Sequence, residues 1–227
     1  MLFGVKIMNI ANVEKFMEGR KPGAIGLRKD CAVLIPLVER EDGLHILYEQ
    51  RSTKMKTQPG DVCFPGVRME PGETPAECAL RETEEEIGIP AEKIRVLGQF
   101  DSIYEVSHLT MNTVIGVIEG EDLEYLRLNP KEVETVFTVP YRFFMETEPI
   151  RYEYEVVQKV DDFPYEAAGI RKDYRWRVGK NSAPIFHYGE GSKRQIIWGL
   201  TARITMWLVE KLEEAKEQDY EKTECGK

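Results

Sequence analysis

The chain has 227 residues, of which 42% are hydrophobic, a length sufficient for one large globular domain. Its 31 Lys and Arg residues face 40 Asp and Glu residues, and the formal net charge of -9 argues against broad electrostatic binding to nucleic acid or to anionic membranes. No apolar run approaches the roughly 18 residues of a membrane span.

The first third of the chain predicts one short helix, two strands and a long loop. Residues 10–20 have the spacing of an amphipathic helix, and residues 31–39 and 44–50 are apolar runs typical of strands. Residues 51–72 are rich in Gly and Pro, which predicts a loop with a short strand at residues 62–64.

The remainder alternates strands and helices. Strands are predicted at 93–100, 113–120 and 132–140, a short helix at 141–146, hairpins within 151–193, a long amphipathic helix at 194–218 and a frayed tail from 219. Strands interspersed with helices favour a mixed sheet that is covered by helices on both faces.

One helix in the middle of the chain has clear end signals. Thr74 is a capping residue, Pro75 takes the first helical position, and Glu77 completes a capping box. Gly88 and Pro90 follow the last helical turn. The packing face is predicted to consist of Ala76, Ala79, Leu80, Thr83 and Ile87.

A second face of this helix carries Glu82, Glu85 and Glu86. Spacings of three and four residues bring like charges together, which costs a few tenths of a kcal/mol per pair. Mg²⁺ binds such carboxylates together with substrate phosphates, so the pattern suits metal-assisted attack on a diphosphate. Arg81 is predicted to clamp neighbouring glutamates, with reach back to Glu73. A solvated acidic helix face is the alternative that charge spacing alone would favour.

Residues 67–89 resemble the Nudix box of the Nudix hydrolase family, usually written G-x5-E-x7-R-E-U-x-E-E-x-G-U with U apolar. The matching residues are Glu73, Arg81, Glu82, Glu85, Glu86, Gly88 and Ile89. Thr83 takes the first apolar position, and Val67 stands where the motif begins with Gly, directly after Gly66. A spaced match of this length is much more specific than a run of charges.

The segment before the box resembles the coenzyme A diphosphatase branch of the family. The residues that carry this likeness are Arg51, Ser52, Lys56, Gly60, Phe64, Pro65 and Gly66. Residues 129–140 and 197–204 are also similar to that branch, so the resemblance covers about residues 30 to 210.

The resemblance implies an α/β fold, specifically a Nudix-type α/β/α sandwich with a mixed sheet. One domain would span residues 1–227, with a core of about 30–215. It also implies dependence on Mg²⁺ or Mn²⁺ and hydrolysis of a diphosphate bond in a nucleoside diphosphate derivative. In the coenzyme A branch, coenzyme A or acyl-coenzyme A is split into 3',5'-ADP and 4'-phosphopantetheine.

The resemblance also assigns roles by position. Glu82, Glu85 and Glu86 would be catalytic metal ligands, and Glu85 or Glu86 would orient or deprotonate the attacking water. Glu73 and Arg81 would support the structure of the site.

Basic residues bracket the glycine-rich loop. Arg51, Lys54, Lys56 and Arg68 are candidates to contact substrate phosphates, and Gly66 allows close approach of the backbone. Ordinary surface cations are the alternative for each of the four basic residues.

Further candidates are less specific. They are His108 and His187 for a proton relay, Glu132 and Glu134 for an additional carboxylate, and Trp176, Phe186 and Tyr188 for stacking on adenine. The alternatives are surface histidines, a glutamate that only hydrogen-bonds backbone, and aromatic residues that pack in the protein.

Two other functions fit the same residues. One is a pyrophosphatase for ADP-ribose, dinucleotides or other nucleotide derivatives, and the other is a non-catalytic Nudix domain that senses a nucleotide. Three crowded carboxylates argue against the sensor, because a binding module does not need them.

The expected partner is a small nucleotide-derived substrate, and neither nucleic acid nor a membrane is expected as a partner. The sequence leaves the oligomeric state open, with a homodimer as one option. The four cysteines lack metal-ligand or CxxC spacing, so neither a zinc site nor a disulfide framework is predicted. Acidic residues near the start and the lack of a small-residue cleavage site favour a cytoplasmic location.

Overall fold

The computed structural model describes residues 9–20, 29–105 and 108–225. In chain order its helices and strands are α1 (Ile10–Met17), β1 (Lys29–Arg40), β2 (Gly43–Arg51), β3 (Val62–Cys63), β4 (Gly66–Arg68), α2 (Pro75–Ile87), β5 (Ile94–Gln99), β6 (Ile103–Tyr104), β7 (Leu109–Ile118), β8 (Val133–Pro140), α3 (Tyr141–Glu146), β9 (Ile150–Val156), β10 (Gly179–Tyr188), β11 (Gln195–Trp198) and α4 (Gly199–Cys225). Short 3₁₀ turns lie at Ala91–Lys93, Gly120–Tyr125 and Gly191–Lys193.

The main sheet is built around β1. This strand pairs antiparallel with β2 and β4 and parallel with β7, and the sheet order is β3-β2-β1-β7-β5, with β8 beside β2 and β6 beside β7. A continuous apolar run forms the buried centre of β1, as expected for a strand with neighbours on both faces. The predicted mixed sheet is confirmed.

Successive residues of β1 point to opposite faces and so divide the core into two layers. Val33, Ile35 and Leu37 share one apolar cluster with Ala202, Ile204 and Leu208 of α4. Leu34 and Val38 share the other with Ala79 and Ile87 of α2. The sheet therefore lies between α2 and α4, and the predicted α/β/α sandwich is confirmed.

The long C-terminal helix begins later than predicted. Residues 195–198 form β11, an antiparallel partner of β10, and Gly199 takes a left-handed φ of 60° where the helix begins. The predicted start at residue 194 is wrong because pairing with the preceding strand, across the short connection at residues 189–194, overrides the helical spacing. The helix also continues to Cys225, past the predicted frayed tail from residue 219, while residues 226–227 lie outside the described residues.

The segment before β10 also differs from the prediction. Residues 174–178 do not form a strand, and their aromatic side chains belong to a local cluster instead. Trp176 packs edge to face on Phe163 and Tyr174, and its Nε1 donates to the Tyr165 hydroxyl at 3.3 Å. Packing between nearby aromatic residues has replaced the cross-strand pairs that the alternating pattern predicted.

No helix in the described segments is both long enough and apolar enough to cross a membrane.

Candidate functional site

Helix α2 carries the acidic residues, and hydrogen bonds near its ends fix its limits. The Glu77 N–H donates to Thr74 Oγ1 at 3.3 Å, while the Glu77 carboxylate accepts the Thr74 N–H at 2.8 Å. Gly88 ends the helix with a φ of 77° and donates its N–H to the Glu84 carbonyl at 3.0 Å. The predicted capping box and C-terminal glycine are confirmed.

The packing face of α2 is also confirmed. Ala79, Thr83 and Ile87 are fully buried against the sheet, and Ala76 and Leu80 pack beside them. Thr83 fits an apolar position because its hydroxyl donates to the Ala79 carbonyl at 2.6 Å, which leaves its methyl group for packing.

The three glutamates of the second face have different environments. Glu82 and Glu86 are 7% and 5% exposed, so two carboxylates from adjacent turns are buried together. The Glu85 side chain is 58% exposed and lies at the solvent edge. The structure thus brings Glu82 and Glu86 together and leaves Glu85 beside them at the surface.

Arg81 links the carboxylates at the outer edge of this face. Its Nε donates to Glu73 Oε1 at 2.9 Å, and its Nη2 donates to Glu73 Oε2 at 3.2 Å. Its Nη1 contacts Glu82 Oε1 and lies 3.6 Å from Glu85 Oε2. The guanidinium hydrogen bonds lower the pKa of Glu73 to about 2, and the same carboxylates raise the pKa of Arg81.

Glu86 is held by the glycine loop instead of by a cation. Its Oε2 accepts the Gly66 N–H at 2.9 Å, which joins α2 to the start of β4. Gly66 has a φ of 142°, and a Cβ there would lie 2.2 Å from the Ala32 carbonyl, so only glycine fits against β1. The positive φ falls on Gly66, which is why Val67 is tolerated at the motif's glycine position.

Glu49 of β2 is a site residue that the sequence reasoning missed. It is 1% exposed, and its Oε1 accepts a hydrogen bond from Cys63 Sγ at 3.3 Å. Its Oε2 is buried without a hydrogen-bond partner among the described residues. Because side chains alternate along a strand, Glu49 lies on the same face of β2 as Leu47, toward α2. This two-residue alternation in the sequence is the signal that could have predicted the position of Glu49.

Glu132 approaches the same cluster from the loop before β8. Its negative charge raises the pKa of both Glu82 and Glu86, and its Oε2 accepts the Asn129 side-chain amide at 2.8 Å. The Asn129 N–H in turn donates to the Glu86 carbonyl at 2.9 Å, which ties this loop to the end of α2. Glu134 is exposed.

Negative charge dominates the interior of the site. Burial raises the pKa of Glu86, Glu49 and Glu82, and the mutual repulsion of the cluster raises each further. In contrast to Glu82, which contacts Arg81, Glu86 forms no ion pair with a Lys or Arg in the described part of the chain. Oxygen donors of this kind fit a hard divalent cation.

The carboxylates do not form a closed metal cage. Within residues 9–20, 29–105 and 108–225, no three His, Cys, Asp or Glu side chains converge into a ligating arrangement. Arg81 contacts Glu82, and Glu85 faces solvent. The geometry is an open carboxylate surface, which matches the way Mg²⁺ is held by a few carboxylates together with substrate oxygens and water.

A cavity of about 200 Å³ lies beside the glycine loop. It is lined by Arg51, Cys63 and Gly66 on one side and by Leu200 and Thr201 of α4 on the other. The Nε of Arg51 is buried and has no hydrogen-bond partner among the described residues. Of the predicted phosphate contacts, Arg51 and Gly66 meet here, whereas Lys54, Lys56 and Arg68 are exposed and do not line the cavity.

The other candidates lie apart from the carboxylates. His108 is exposed in the loop before β7, and His187 of β10 contacts Arg194. Phe186 is 2% exposed within the core, and Tyr188 packs edge to face on Phe143. These aromatic residues and Trp176 pack within the protein, and Cys31, Cys63 and Cys78 are free thiols.

Comparison with known proteins agrees with this geometry. A NUDIX domain model matches residues 28–154, more than half of the chain. The chain therefore belongs to the Nudix family, whose members act on small nucleotide derivatives and generally use divalent metal ions.

Individual relatives extend the similarity. Nudix hydrolase 3 of Caenorhabditis elegans is 43% identical over 59% of this chain and 57% of its own length. Nudix hydrolase 15, mitochondrial, of Arabidopsis thaliana is 32% identical over 86% of this chain and 61% of its own length. The peroxisomal coenzyme A diphosphatase NUDT7 of Mus musculus is 31% identical over 58% and 55%, respectively. The chain spans less than two thirds of the length of each of these relatives.

Proposed function

We propose that this chain hydrolyses the diphosphate bond of a nucleoside diphosphate derivative with the help of Mg²⁺ or Mn²⁺. The observation that carries the proposal is the burial of Glu82 and Glu86 next to Gly66, whose N–H donates to Glu86 and which lines a cavity together with Arg51. Buried carboxylates and a nearby guanidinium are the groups that a cation-bound diphosphate requires.

Each residue of the site has a proposed task. Glu82, Glu85 and Glu86 hold the cation, which when bound supplies positive charge to the diphosphate and lowers the pKa of water. Gly66 orients Glu86 through its N–H, and Arg81 orients Glu82 while Glu73 holds Arg81 in place. Glu85 or Glu86 orients the attacking water or accepts its proton.

Arg51 is the proposed contact to the diphosphate, and Gly66 lets the loop backbone lie close to it. A register shift between Gln50 and Arg51 opposite β8 marks an irregularity in β2 just before this side chain. Lys56 and Arg68 are exposed, so we assign them to phosphates at the outer edge of the substrate.

Coenzyme A or an acyl derivative is the substrate that we favour. The segment before the box supports this choice, as does the coenzyme A diphosphatase activity in the name of the mouse relative. A second cavity of about 750 Å³ shares Ile204 with the first and is lined by Trp207, Phe100 and Arg151. Its aromatic residues suit the remainder of a long substrate, whereas its charged lining is mixed, with Asp101 and Glu210 beside Arg151.

A substrate panel in heavy-oxygen water tests the proposal. Coenzyme A, an acyl-coenzyme A, ADP-ribose and a dinucleotide are each incubated with the purified chain and Mg²⁺ or Mn²⁺, and the products are weighed by mass spectrometry. We expect labelled 3',5'-ADP or labelled 4'-phosphopantetheine from coenzyme A. Cleavage of ADP-ribose with coenzyme A intact would reject the coenzyme A assignment, and binding without any turnover would favour a sensor.

Three further predictions accompany this function. We propose one domain across the chain, because Ala202, Ile204 and Leu208 of α4 pack in the same cluster as residues of β1. The homodimer and the cytoplasmic location stay predictions from the sequence. The names of two relatives place those proteins in mitochondria and peroxisomes, so microscopy of the tagged chain is the appropriate test of location.

A further inference from the structure

Strand β2 buries a carboxylate that lies outside the Nudix box. Glu49 is 1% exposed and lies opposite Cys63 of β3 and Val136 of β8. The Cys63 thiol donates to Oε1 at 3.3 Å, whereas Oε2 is buried with no partner in the described part of the chain. An unsatisfied buried carboxylate oxygen is costly, so its retention calls for a partner of another kind.

The orientation of Glu49 follows from strand alternation. Tyr48 packs into the cluster on the α4 side, whereas Leu47 packs into the cluster on the α2 side. Glu49 shares the face of Leu47 and therefore lies on the α2 side of the sheet. Its carboxylate is close enough to Glu82 and Glu86 for their charges to act on one another.

Among the described residues, no cationic side chain is paired with Glu49. Arg51 is near enough for its charge to act on Glu49, yet its buried Nε lacks a hydrogen-bond partner in the same region. No Lys or Arg within the described residues forms an ion pair with Glu49. A bound divalent cation would supply both the missing positive charge and a partner for Oε2.

From these contacts we propose that Glu49 is a direct ligand of the divalent cation and faces Glu86 on the α2 side of the sheet. The inference rests on the proposed function, because it concerns the same cation site. It adds a strand carboxylate to the glutamates of α2, so that the cation is held from two elements of the sandwich.

Manganese binding to the full chain tests the role of Glu49 without reference to turnover. Mn²⁺ is titrated into the wild type, Glu49→Gln, Glu86→Gln and Glu155→Gln, and free Mn²⁺ is followed by electron paramagnetic resonance. Glu155 is the control, an exposed glutamate on strand β9 that belongs to the other sheet. We expect Glu49→Gln to weaken Mn²⁺ binding at least about tenfold, in line with the loss of a ligand oxygen, and Glu155→Gln to bind like the wild type.

A measurement on the wild type covers the case in which Glu49→Gln does not fold. Crystals soaked in Mn²⁺ are measured at a wavelength where manganese scatters anomalously. We expect a peak at a coordination distance of about 2.0–2.6 Å from a Glu49 oxygen. An ion bound by Glu82 or Glu86 but beyond that distance from Glu49 would overturn the assignment.

The same titration separates this inference from the proposed function. If Glu86→Gln abolishes Mn²⁺ binding while Glu49→Gln retains wild-type affinity, the role of Glu49 is rejected and the proposed function stands. If the wild type binds no Mn²⁺, both are rejected. Weakened binding in Glu49→Gln and Glu86→Gln, with an unchanged control, supports both.

Discussion

The acidic site around α2 has two parts, which differ in the groups that contact the carboxylates. At the outer part, Glu73 and Glu82 share the guanidinium of Arg81. At the inner part, and among the described residues, the Glu86 side chain accepts one hydrogen bond from a backbone N–H and the Glu49 side chain accepts one from a thiol. The difference separates carboxylates whose charge a guanidinium of the protein already offsets from buried carboxylates that have no cationic side chain paired with them among the described residues.

The largest expected effect is the fall in kcat on removal of the Glu86 charge. The Glu86→Gln side chain can still accept the Gly66 N–H but offers the cation no negative charge, so kcat should fall about 100-fold or more. Steady-state hydrolysis with Mg²⁺ measures the change. Glu92→Gln, an exposed change in the turn Ala91–Lys93, serves as the control. Activity within about threefold of the wild type would contradict a cation role for Glu86.

A second substitution alters the backbone segment whose N–H donates to Glu86. Gly66→Ala would place a Cβ 2.2 Å from the Ala32 carbonyl at a φ of 142°. We expect a loss of about 2–3 kcal/mol in the free energy of unfolding, because neighbouring backbone must move. Urea unfolding measures the loss, and Val67→Ala on the exposed face of β4 is the comparison. Equal midpoints for the two variants would show that the close packing is unimportant.

The outer part is tested through Arg81. Arg81→Gln removes the hydrogen bonds to Glu73, and we expect a loss of about 1 kcal/mol in the free energy of unfolding, since the side chain is 29% exposed and partly screened. The same urea experiment measures this change. Arg68→Gln is the control, because Arg68 is exposed on β4. A loss as large as that of Gly66→Ala would mean that Arg81 has a larger structural role than its contacts indicate.

The smallest expected effects are those of pH on folding stability, measured with metal removed by a chelator. Glu73 and Glu86 should contribute to this pH dependence with opposite signs. The folded pKa of Glu73 is lowered from 4.5 to about 2, so its stabilisation is complete above the unfolded value and is lost as pH falls through that range. The folded pKa of Glu86 is raised above 4.5, so its contribution is present below the unfolded value and is lost as pH rises.

Thermal unfolding across pH separates the two parts. We expect Glu73→Gln to reduce the loss of stability in acid and Glu86→Gln to reduce the loss toward alkaline pH. Added Mg²⁺ should remove the alkaline loss in the wild type, because a bound cation favours the ionised carboxylate. The comparison between the two parts fails if both variants shift the curve in the same direction.

Local chemistry explains why α2 was predictable. Its limits follow from hydrogen bonds between residues three or four apart, such as Thr74 with Glu77 and Gly88 with Glu84. Its buried face follows from the helical period, which placed Ala79, Thr83 and Ile87 together. By contrast, residues 195–198 have helical spacing but pair with the preceding strand β10, because strand pairing outweighs a weak local preference for helix.

The sequence by itself determined the α/β class, the acidic helix and the match to the Nudix box, because these depend on the spacing between near neighbours. Only the tertiary structure decided that Glu49 of β2 lies close enough to Glu86 for their charges to repel each other, and that the Gly66 N–H donates to the Glu86 carboxylate. The physical reason is that burial, charge repulsion and the loss of water at a carboxylate arise only when distant segments pack together.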